Sequence, residues 1–484
     1  MNPLLSCHPF RFRTMILLVI FSAGLSLTGC CRPLQMTLLH INDSHSHIEP
    51  IPLKVRIDDE TIRLSSGGFA RLSTRIRQVR DTEENVVFLH AGDAVQGTLY
   101  FTRYHGEPEI EWLNWMQCDA MVTGNHEYDK GGAILAGMID RAEFPVLAAN
   151  VDARNDPYLK DRLVPYTVID VDGRDVAVIG LVSPETPMTS NPEETLIFME
   201  CAGAIAPIID RLTRDGINTI ILLTHNGYAN DIALARSVDG IDIIIGGHTH
   251  TWLGADGSVI PPVEGPYPTR VDGPTGDPVV IVQAGAHGRA LGRLDLTIDG
   301  HGIVRDYSGS APILVDENWI PYSGTHPEIH LAVVAEDPAV RERLKPYRDG
   351  IETLKSRVVA HVSRDIHHVR LPGMRHPGTG EIMPHGSELA QLMAEIMYDA
   401  ANDLGLKPDL AVQNAGGVRM DLPAGDVTVG DVYELLPFEN TLVVLDLAGS
   451  DLIASLESLA ERLKDPDKDG WYPYFFGSHR NPKK

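Results

Sequence analysis

The chain has 484 residues, more than one hydrophobic core usually organises, so its length predicts two domains. Its hydrophobic fraction of 43% and charged fraction of 22% are ordinary for a soluble globular protein. The formal net charge of −25 argues against nucleic acid as a partner, because an acidic surface repels phosphate; handling phosphate would require metal ions or a few arginines at the site.

The first residues predict a targeting segment instead of a part of the fold. Two arginines precede an apolar run over residues 15–27, which is too short to cross a bilayer comfortably because a span takes about 20 residues. The run ends in Leu27-Thr28-Gly29-Cys30, which resembles the lipobox of bacterial lipoproteins. We expect residues 1–29 to be a lipoprotein signal peptide and Cys30 to carry the lipid. The alternative is an ordinary signal peptide with a chance cysteine.

From residue 34 to about residue 299, short apolar runs alternate with polar loops and helical stretches. Short runs rich in Val, Ile and Leu predict strands that are buried on both faces. They cover residues 36–41, 86–89, 121–123, 146–149, 176–182, 219–224, 241–245 and 279–282. Helices are predicted over 68–79 and 204–214, with Pro207 in the first turn of the second, where proline is tolerated. The alternation predicts an α/β domain.

A charged segment with few turn signals follows and predicts a connecting helix over residues 326–359. Beyond it we expect a second domain with a helix over 387–404, a strand over 410–413 and a further βα portion. The predicted organisation is therefore a signal peptide over 1–29, a catalytic domain over 34–325, the connecting helix, and a substrate-binding domain over 360–484.

Polar side chains follow five of the predicted strands at the point where each strand ends. These groups are Asp43-Ser44-His45, Gly92-Asp93, Asn125-His126, His225 and His248-Thr249-His250. Because the carboxyl ends of parallel strands meet at one edge of a sheet, all five can converge there. Imidazoles with carboxylates suit zinc, manganese, iron or similar divalent ions. Each group alone is more often a surface loop, but together they predict a metal site.

The stretch over residues 121–129 concentrates this chemistry. An apolar run breaks at Gly124 and is followed by Asn125, His126, Glu127 and Asp129. An amide beside an imidazole, with a carboxylate three residues on, can serve a metal, a reacting group and an orienting partner. Glu127 receives no role here beyond a structural one.

The order of these groups resembles that of the calcineurin-like metallophosphoesterases. The run Asn125-His-Glu-Tyr-Asp129 and the second domain make the chain resemble the 5′-nucleotidase family, which includes periplasmic UDP-sugar hydrolases. The resemblance implies an α/β fold: a four-layer sandwich of two mixed β-sheets flanked by helices, plus a smaller α/β C-terminal domain. It also implies release of phosphate from extracytoplasmic nucleotides by metal-activated water, on the periplasmic or cell-surface side of a membrane.

The same resemblance implies roles for individual residues. Two divalent metal ions would be bridged by Asp93. Asp43, His45 and His250 would complete one ion, and Asn125, His225 and His248 the other. His126 and Asp129 would be the catalytic pair. The expected partner is a small nucleotide, with membrane contact only through the lipid at Cys30.

In the second domain, Asn414-Ala-Gly-Gly-Val-Arg419 follows a predicted strand. Its glycines, among them Gly417, allow close backbone approach, while Asn414 and Arg419 can bind an anion or a ribose. Phe438 can stack on a base. From spacing alone, a surface ion pair and a core aromatic remain equal alternatives; the resemblance implies nucleotide binding.

The second domain also departs from the family pattern. Family members carry one or two arginines shortly before the helix at 387–404, whereas Met383 and His385 stand here. Arg370 and Arg375 lie further upstream and are possible replacements. Relatives also continue beyond the position of Lys484 with a second base-stacking aromatic. We therefore expect an incomplete C-terminal domain, unless an aromatic among Trp471, Tyr474 and Phe475 substitutes.

Two alternatives stay open. The same site can act as a UDP-sugar or NAD pyrophosphatase or as a cyclic-nucleotide phosphodiesterase, since fold does not fix substrate. The alternative of another class is a surface lipoprotein that binds nucleotides without turnover.

Overall fold

The computed structural model of the protein describes residues 33–58, 60–255, 261–326, 328–436, 442–464 and 466–477. The strands are β1 Leu34–Ile41, β2 Ile51–Ile57, β3 Glu60–Ser66, β4 Val86–His90, β5 Ala120–Val122, β6 Val146–Leu147, β7 Val151–Asp152, β8 Tyr166–Val171, β9 Arg174–Val182, β10 Ile197–Phe198, β11 Thr219–His225, β12 Ile243–Ile245, β13 Leu253–Gly254, β14 Gly265–Pro266, β15 Thr269–Asp272, β16 Pro278–Val282, β17 Gly292–Ile298, β18 Val304–Ser310, β19 Ile313–Val315, β20 Leu331–Val333, β21 Val358–Val362, β22 Leu410–Asn414, β23 Gly425–Thr428 and β24 Pro473–Gly477. The helices are α1 Phe69–Arg80, α2 Leu99–Tyr104, α3 Glu107–Trp115, α4 Gly132–Arg141, α5 Thr186–Thr189, α6 Cys201–Arg214, α7 Tyr228–Ser237, α8 Pro338–Lys355, α9 Glu388–Asp403, α10 Val429–Leu435 and α11 Gly449–Arg462.

Two six-stranded sheets organise the first part of the chain. The first has the spatial order β18-β17-β1-β4-β5-β6. In it β1, β4, β5 and β6 are parallel, β17 is antiparallel to β1, and β18 is antiparallel to β17. The second has the order β15-β16-β12-β11-β9-β8, with a parallel centre and antiparallel edges. All eight apolar runs form strands of these sheets, as their composition predicted.

The two sheets pack face to face. One buried cluster joins side chains from both, including Leu38 and Leu89 from the first and Val178 and Ile221 from the second. Helices α6 and α7 pack on the outer face of the second sheet. On the first sheet, Trp112 of α3 stacks on Phe69 of α1 and meets Phe88 of β4 edge-on. The result is the predicted four-layer sandwich of two mixed sheets between helices.

Helix α6 corrects one local prediction. It begins at Cys201, capped by Glu200, so Pro207 lies inside the helix and not in its first turn. Proline removes the hydrogen bond to the carbonyl of Gly203, four residues earlier. Both Pro207 and Gly203 are exposed, so water can satisfy that carbonyl.

The predicted connecting segment at 326–359 is helical only in part. It contains the short strand β20, which joins a four-stranded sheet of order β2-β3-β19-β20, and helix α8 follows. The chain divides into two compact units between Leu344 and Lys345, within α8.

The second unit has its own small core. Helix α9 contributes Leu389, Ala390 and Met393, which pack with Val418 and Leu435. Ser387 caps α9 by accepting from the backbone N–H of Ala390. The strands form two pairs, β21 with β23 and β22 with β24.

Three predictions fall on residues outside the described ranges: the signal peptide over 1–29, the lipid site at Cys30, and Phe438. Among the residues that the structure describes, no helix combines the length and the hydropathy needed to cross a bilayer.

Candidate metal centre and active site

The loops after strands β1 and β4 are joined by backbone hydrogen bonds. The N–H of Asp43 donates to the carbonyl of Gly92, and the N–H of His45 donates to the carbonyl of Asp93, each at 3.0 Å. Because β1 and β4 are parallel neighbours, these loops leave the same sheet edge and hold the side chains of Asp43, His45 and Asp93 together.

Most of the predicted ligands have a backbone conformation that non-glycine residues rarely adopt. Five of the seven have positive φ: Asp43 at 49°, His45 at 47°, Asp93 at 52°, His248 at 78° and His250 at 54°. Such conformations cost free energy and cluster where function requires them. The concentration of strain at these residues marks the loops as a site.

The predicted ligand atoms converge. Nε2 of His250 lies 3.4 Å from Oδ1 of Asp43 and 2.9 Å from Nε2 of His45. Nε2 of His225 lies 2.9 Å from Oδ2 of Asp93 and 3.8 Å from Oδ1 of Asp43. Oδ1 of Asn125 lies 3.0 Å from Nδ1 of His248. All seven predicted residues are therefore brought to one place.

The histidine tautomers fit a metal. Nδ1 of His225 is 2.8 Å from the carbonyl of Ala91, and Nδ1 of His45 is 3.3 Å from the carbonyl of Val95. A carbonyl can only accept, so each Nδ1 carries a proton and each ring turns Nε2 toward the cluster, where a bound cation would replace the Nε2 proton. Nε2 of His225 is buried and makes no hydrogen bond, although Oδ2 of Asp93 is close. An unpaired buried nitrogen aimed at two carboxylates is what a cation site requires.

The electrostatics of the cluster favour a bound cation. Asp43 and Asp93 are fully buried, which opposes ionisation, but the neighbouring histidines hold the pKa of both carboxyls below the ordinary range. Burial alone would lower the pKa of His225, yet Asp93 and Asp43 raise it to about 10. The two carboxylates thus attract positive charge even where burial disfavours it.

The cluster is open on one side. The side chains of Asp43, Asp93 and His225 are at most 2% exposed, whereas that of His250 is 42% exposed and that of His126 is 28% exposed. A substrate can therefore reach the ligands from the side of His126 and His250.

His126 and Asp129 form the pair that the sequence predicted. Nδ1 of His126 is 2.7 Å from Oδ2 of Asp129, and the ring lies edge-on to that of His45 with centroids 5.3 Å apart. Burial opposes the charged imidazole, but the hydrogen bond to Asp129 and the charge of Asp93 raise the pKa of His126 to about 9. The ring therefore sits beside the ligand cluster with a fixed orientation.

Glycines let the loops approach closely. A Cβ on Gly124 would lie 2.1 Å from Oδ1 of Asp93 and 2.6 Å from its backbone nitrogen. A Cβ on Gly92 would lie 2.7 Å from the nitrogen of Gly124 and from Nδ1 of His225. Only glycine fits at either position without displacing a predicted ligand.

A second histidine cluster, in the C-terminal unit, has the composition of a metal site but not the tautomer. Ligand atoms of His367, His376 and Asp421 lie within 4.8 Å of one another. However, Nδ1 of His376 accepts from the N–H of Thr379 at 3.0 Å, so the neutral ring carries its proton on Nε2. Nε2–H then donates to Oδ2 of Asp421 at 2.8 Å. This cluster is a hydrogen-bonded pair with a neighbouring ring.

The C-terminal unit holds a cavity of about 330 Å³. Its lining includes Arg370, Arg375 and Arg419 together with His368. Arg370 donates to Asp469 at 2.6 Å. The three arginines, from two separate chain segments, therefore line one cavity together with Asp469. Arginine side chains there can bind an anion.

The other predicted substrate residues lie at or just after the end of strand β22. Asn414 ends β22, is exposed, and donates to the carbonyl of Gly470 at 3.3 Å. Gly417 is buried in a 3₁₀ turn, where a Cβ would meet the side chain of Gln413 at 2.4 Å. Arg419 bonds to the carbonyl of Gly416 at 3.2 Å.

One of the three substitute aromatics is excluded from base stacking. Tyr474 is only 4% exposed, and its hydroxyl contacts the N–H of Ser387 and the carbonyls of Val369 and Arg370. It belongs to the core. Trp471 is 49% exposed, with the guanidinium of Arg462 4.8 Å from its ring centroid.

Three residues that contact Asp43 or Asp129 received no role from the sequence, whereas Glu127 was expected to be structural. Asn42 donates to Oδ2 of Asp43 at 2.7 Å, and Ser190 donates to Oδ1 of Asp129 at 2.7 Å. His287 donates its N–H to the carbonyl of Asp43, and Glu127 accepts from several backbone amides of the site. Asn42 directly precedes the predicted ligand Asp43, so its position in the sequence could have indicated a role at the site. No such feature of the sequence points to Ser190 or His287.

A four-layer α/β sandwich with imidazoles, carboxylates and an amide at the carboxyl ends of its strands defines a metallophosphoesterase. Two family models match the chain. Calcineurin-like phosphoesterase matches residues 36–252, and the 5′-nucleotidase C-terminal domain matches residues 379–480.

Individual proteins of known sequence or structure are also similar to this chain. A probable 5′-nucleotidase of Treponema pallidum is 32% identical over 480 residues, which is 94% of this chain and 81% of that one. The crystal structure of a 5′-nucleotidase precursor from Thermus thermophilus is 34% identical with a TM-score of 0.68, covering 91% of this chain and 81% of that one. The structure of the Haemophilus influenzae NAD nucleotidase is 27% identical with a TM-score of 0.74, covering 92% and 82%.

The chain belongs to the 5′-nucleotidase family. It is a phosphohydrolase of the metallophosphoesterase class, whose members use divalent metals.

Proposed function

We propose that the chain is a dinuclear-metal phosphohydrolase that releases phosphate from nucleotides outside the cytoplasm. The observation that carries this proposal is the arrangement of ligand atoms at the strand ends. Asp43, His45 and His250 form one group, and Asp93, His225 and His248 form another, each with its ligand atoms within 4.8 Å of one another.

The two groups suggest how the residues divide between the ions. Asp43, His45 and His250 would hold one ion, and His225, His248 and Asn125 the other. Oδ2 of Asp93 lies 2.9 Å from Nε2 of His225 and 3.8 Å from Nε2 of His45, so this carboxylate faces predicted ligands of both groups and would be shared between the ions. Divalent ions held in this way supply Lewis-acid stabilisation of phosphoryl oxygens and lower the pKa of water.

The chain's own residues supply the remaining chemistry. Asp129 holds Nδ1 of His126, which leaves Nε2 of that ring free to act on the substrate. An imidazolium there stabilises negative charge on the phosphoryl group or gives a proton to the leaving oxygen. His126 and Asp129 are therefore the catalytic pair in this proposal.

Substrate recognition is assigned to the C-terminal unit. Arg370, Arg375 and Arg419 line one cavity, and arginine forks bind phosphate oxygens well. Asn414 and Gly417 lie in the same segment as Arg419, and we assign them to nucleotide binding. Phe438 is assigned to stacking on the base. Arg370 and Arg375 thus replace the arginines missing ahead of α9.

The test is a substrate panel with added Mn²⁺, Zn²⁺ or Mg²⁺. We expect phosphate release from AMP that EDTA abolishes, and at least a 100-fold loss in Asp93→Asn, because the bridging charge is removed. Metal-independent turnover, or nucleotide binding without any hydrolysis, would contradict the proposal; the latter would favour a binding lipoprotein.

A second candidate substrate is NAD, because the NAD nucleotidase structure matches 92% of this chain. NAD cleavage breaks a pyrophosphate and releases two nucleotides, whereas 5′-nucleotidase activity releases inorganic phosphate. Product analysis with NAD, UDP-glucose, a cyclic nucleotide and AMP therefore separates the candidates.

The location outside the cytoplasm rests on residues 1–29 and Cys30. Lipid at Cys30 would hold the enzyme to the membrane without a spanning helix. Metabolic labelling with a fatty acid should mark the wild type and not Cys30→Ser; equal labelling would refute the anchor.

A further inference from the structure

Glu127 is a buried acid beside the candidate metal centre. It is 1% exposed and lies in the 3₁₀ turn His126–Tyr128, between the predicted catalytic residues. Its position in the motif places it next to His126, but its carboxylate oxygens contact backbone N–H groups.

The Glu127 carboxylate accepts three backbone N–H groups. Oε2 accepts from Asp93 at 3.0 Å and from Gly124 at 2.5 Å, and Oε1 accepts from Ala94 at 2.8 Å. These hydrogen bonds are shielded from water, where each is stronger than an exposed one. One side chain thus ties the loop after β4 to the loop after β5.

The connection is reciprocal. Oδ1 of Asp93 accepts from the N–H of His126 at 2.9 Å. Each loop therefore presents a carboxylate to the backbone of the other, and Gly124 allows the contact because a Cβ there would collide with Asp93. We call residues 92–94 and 124–127 the cross-bonded loops.

The cross-bonded loops need such a constraint. Asp93 has a φ of 52°, which an aspartate holds only when its surroundings fix it. The N–H groups of Asp93 and Ala94, which flank the strained Cα of Asp93, both donate to Glu127. Without them the loop can relax and move the Asp93 carboxylate.

We propose that Glu127 is a positioning residue that presets Asp93 and Asn125 for metal binding without touching the metals. The expected effect on metal binding rests on the proposed dinuclear function, whereas the connection of the two loops by Glu127 does not. Asp93 donates its own N–H to Glu127, and Asn125 directly follows Gly124, which also donates its N–H to Glu127. The same carboxylate therefore positions both predicted ligands.

The first test uses the metal-free protein. Glu127→Gln keeps the size of the side chain, but its amide must turn an NH₂ toward an N–H donor, so at least one bond is lost. We expect the amides of residues 93, 94 and 124 to exchange roughly tenfold faster or more in hydrogen–deuterium exchange. Unchanged exchange there would overturn the inference, whatever the protein's activity.

The second test measures metal affinity by equilibrium dialysis with Mn²⁺. Loss of a partner that orients a ligand typically weakens metal binding about 10- to 100-fold, which is the effect expected for Glu127→Gln. Affinity within about twofold of wild type would contradict the positioning role. A wild type that binds no Mn²⁺ would instead refute the proposed function.

Asp156→Asn is a matched control. Asp156 is also 1% exposed, and its carboxylate accepts from the N–H groups of Tyr158 and Leu159 and from the hydroxyl of Thr195. The Asp156→Asn variant should leave both the metal affinity and the amide hydrogen–deuterium exchange of the cross-bonded loops unchanged. Glu127→Asp, which keeps the charge but shortens the reach, provides a second variant and should show the same changes in the same direction.

Discussion

Asp129 holds His126 by a 2.7 Å contact between Oδ2 and Nδ1. The two residues are three apart along the chain, and the 3₁₀ turn between them brings imidazole and carboxylate together. Because the carboxylate accepts the Nδ1 proton, the ring has a fixed orientation and Nε2 is left to act on the substrate. The contact between His126 and Asp129 forms between residues close in the chain, whereas the position of the pair beside the predicted ligands depends on the sheet.

Replacing His126 with alanine should lower kcat about 10²- to 10⁴-fold, the range typical of a lost acid–base or charge-stabilising group. KM should change little, since the metal ligands remain. Steady-state kinetics on AMP measure both quantities. His301→Ala, an exposed histidine in the turn between β17 and β18, is the control and should behave as wild type. A kcat within twofold of wild type in His126→Ala would refute the catalytic role.

Ser190 binds the carboxylate oxygen of Asp129 that does not contact His126. Its hydroxyl donates to Oδ1 at 2.7 Å, so Ser190→Ala removes one hydrogen bond worth about 1 kcal/mol, and kcat should fall about fivefold. In an Asp129→Asn background the same change should add almost nothing, because the residues act as one unit. Additive losses in this double-mutant cycle would show that Ser190 acts elsewhere, and Ser190→Thr should restore activity.

Gly124→Ala should destroy metal binding without abolishing the fold. The added Cβ would lie 2.1 Å from Oδ1 of Asp93, so the carboxylate must move. Metal content after dialysis measures the effect. Gly137→Ala, inside helix α4, is the matched control: its nearest neighbour is 3.7 Å away, and the change should stabilise the protein by about 0.5–1 kcal/mol. Equal metal content in both variants would contradict the close approach.

Glu109 should make stability depend on pH. It is fully buried in helix α3, and burial raises its pKa from the ordinary 4.5 to about 7. The folded state therefore keeps a proton that the unfolded chain releases, so stability falls as pH rises from about 4.5 to 7. Above pH 7 the cost approaches about 3 kcal/mol, from about 1.4 kcal/mol per pH unit.

Urea unfolding of metal-free Glu109→Gln across this range measures the effect. The amide cannot ionise, so the variant should gain stability relative to wild type as pH rises. Glu111→Gln, on the same helix and partly exposed, should show no such trend. A constant difference between wild type and Glu109→Gln from pH 5 to pH 8 would refute the raised pKa.

Much of the catalytic unit was predictable because its signals are local. A buried strand appears in the sequence as an apolar run, and every predicted ligand lies at or just after the end of such a run. The run Met121–Val122 and the polar residues after Gly124 therefore predict a strand and part of the site together. The four-layer arrangement followed from the resemblance, and both sheets bear it out.

The missed features depend on contacts between distant residues. Glu127 contacts amides more than 30 positions away, and Ser190 is 61 positions from Asp129. The helix start at Cys201 was missed because the cap is the side chain of Glu200, a residue with no strong capping preference. The tautomer of His376 is fixed by one backbone N–H, which spacing cannot reveal.

The most direct test of the dinuclear centre is anomalous diffraction from crystals of the protein grown with Mn²⁺. We expect two anomalous peaks on either side of the Asp93 carboxylate, roughly 3.5–4 Å apart as in two-metal sites, one near His45 and the other near His225. A single peak, or peaks that Asp93 does not join, would contradict this expectation.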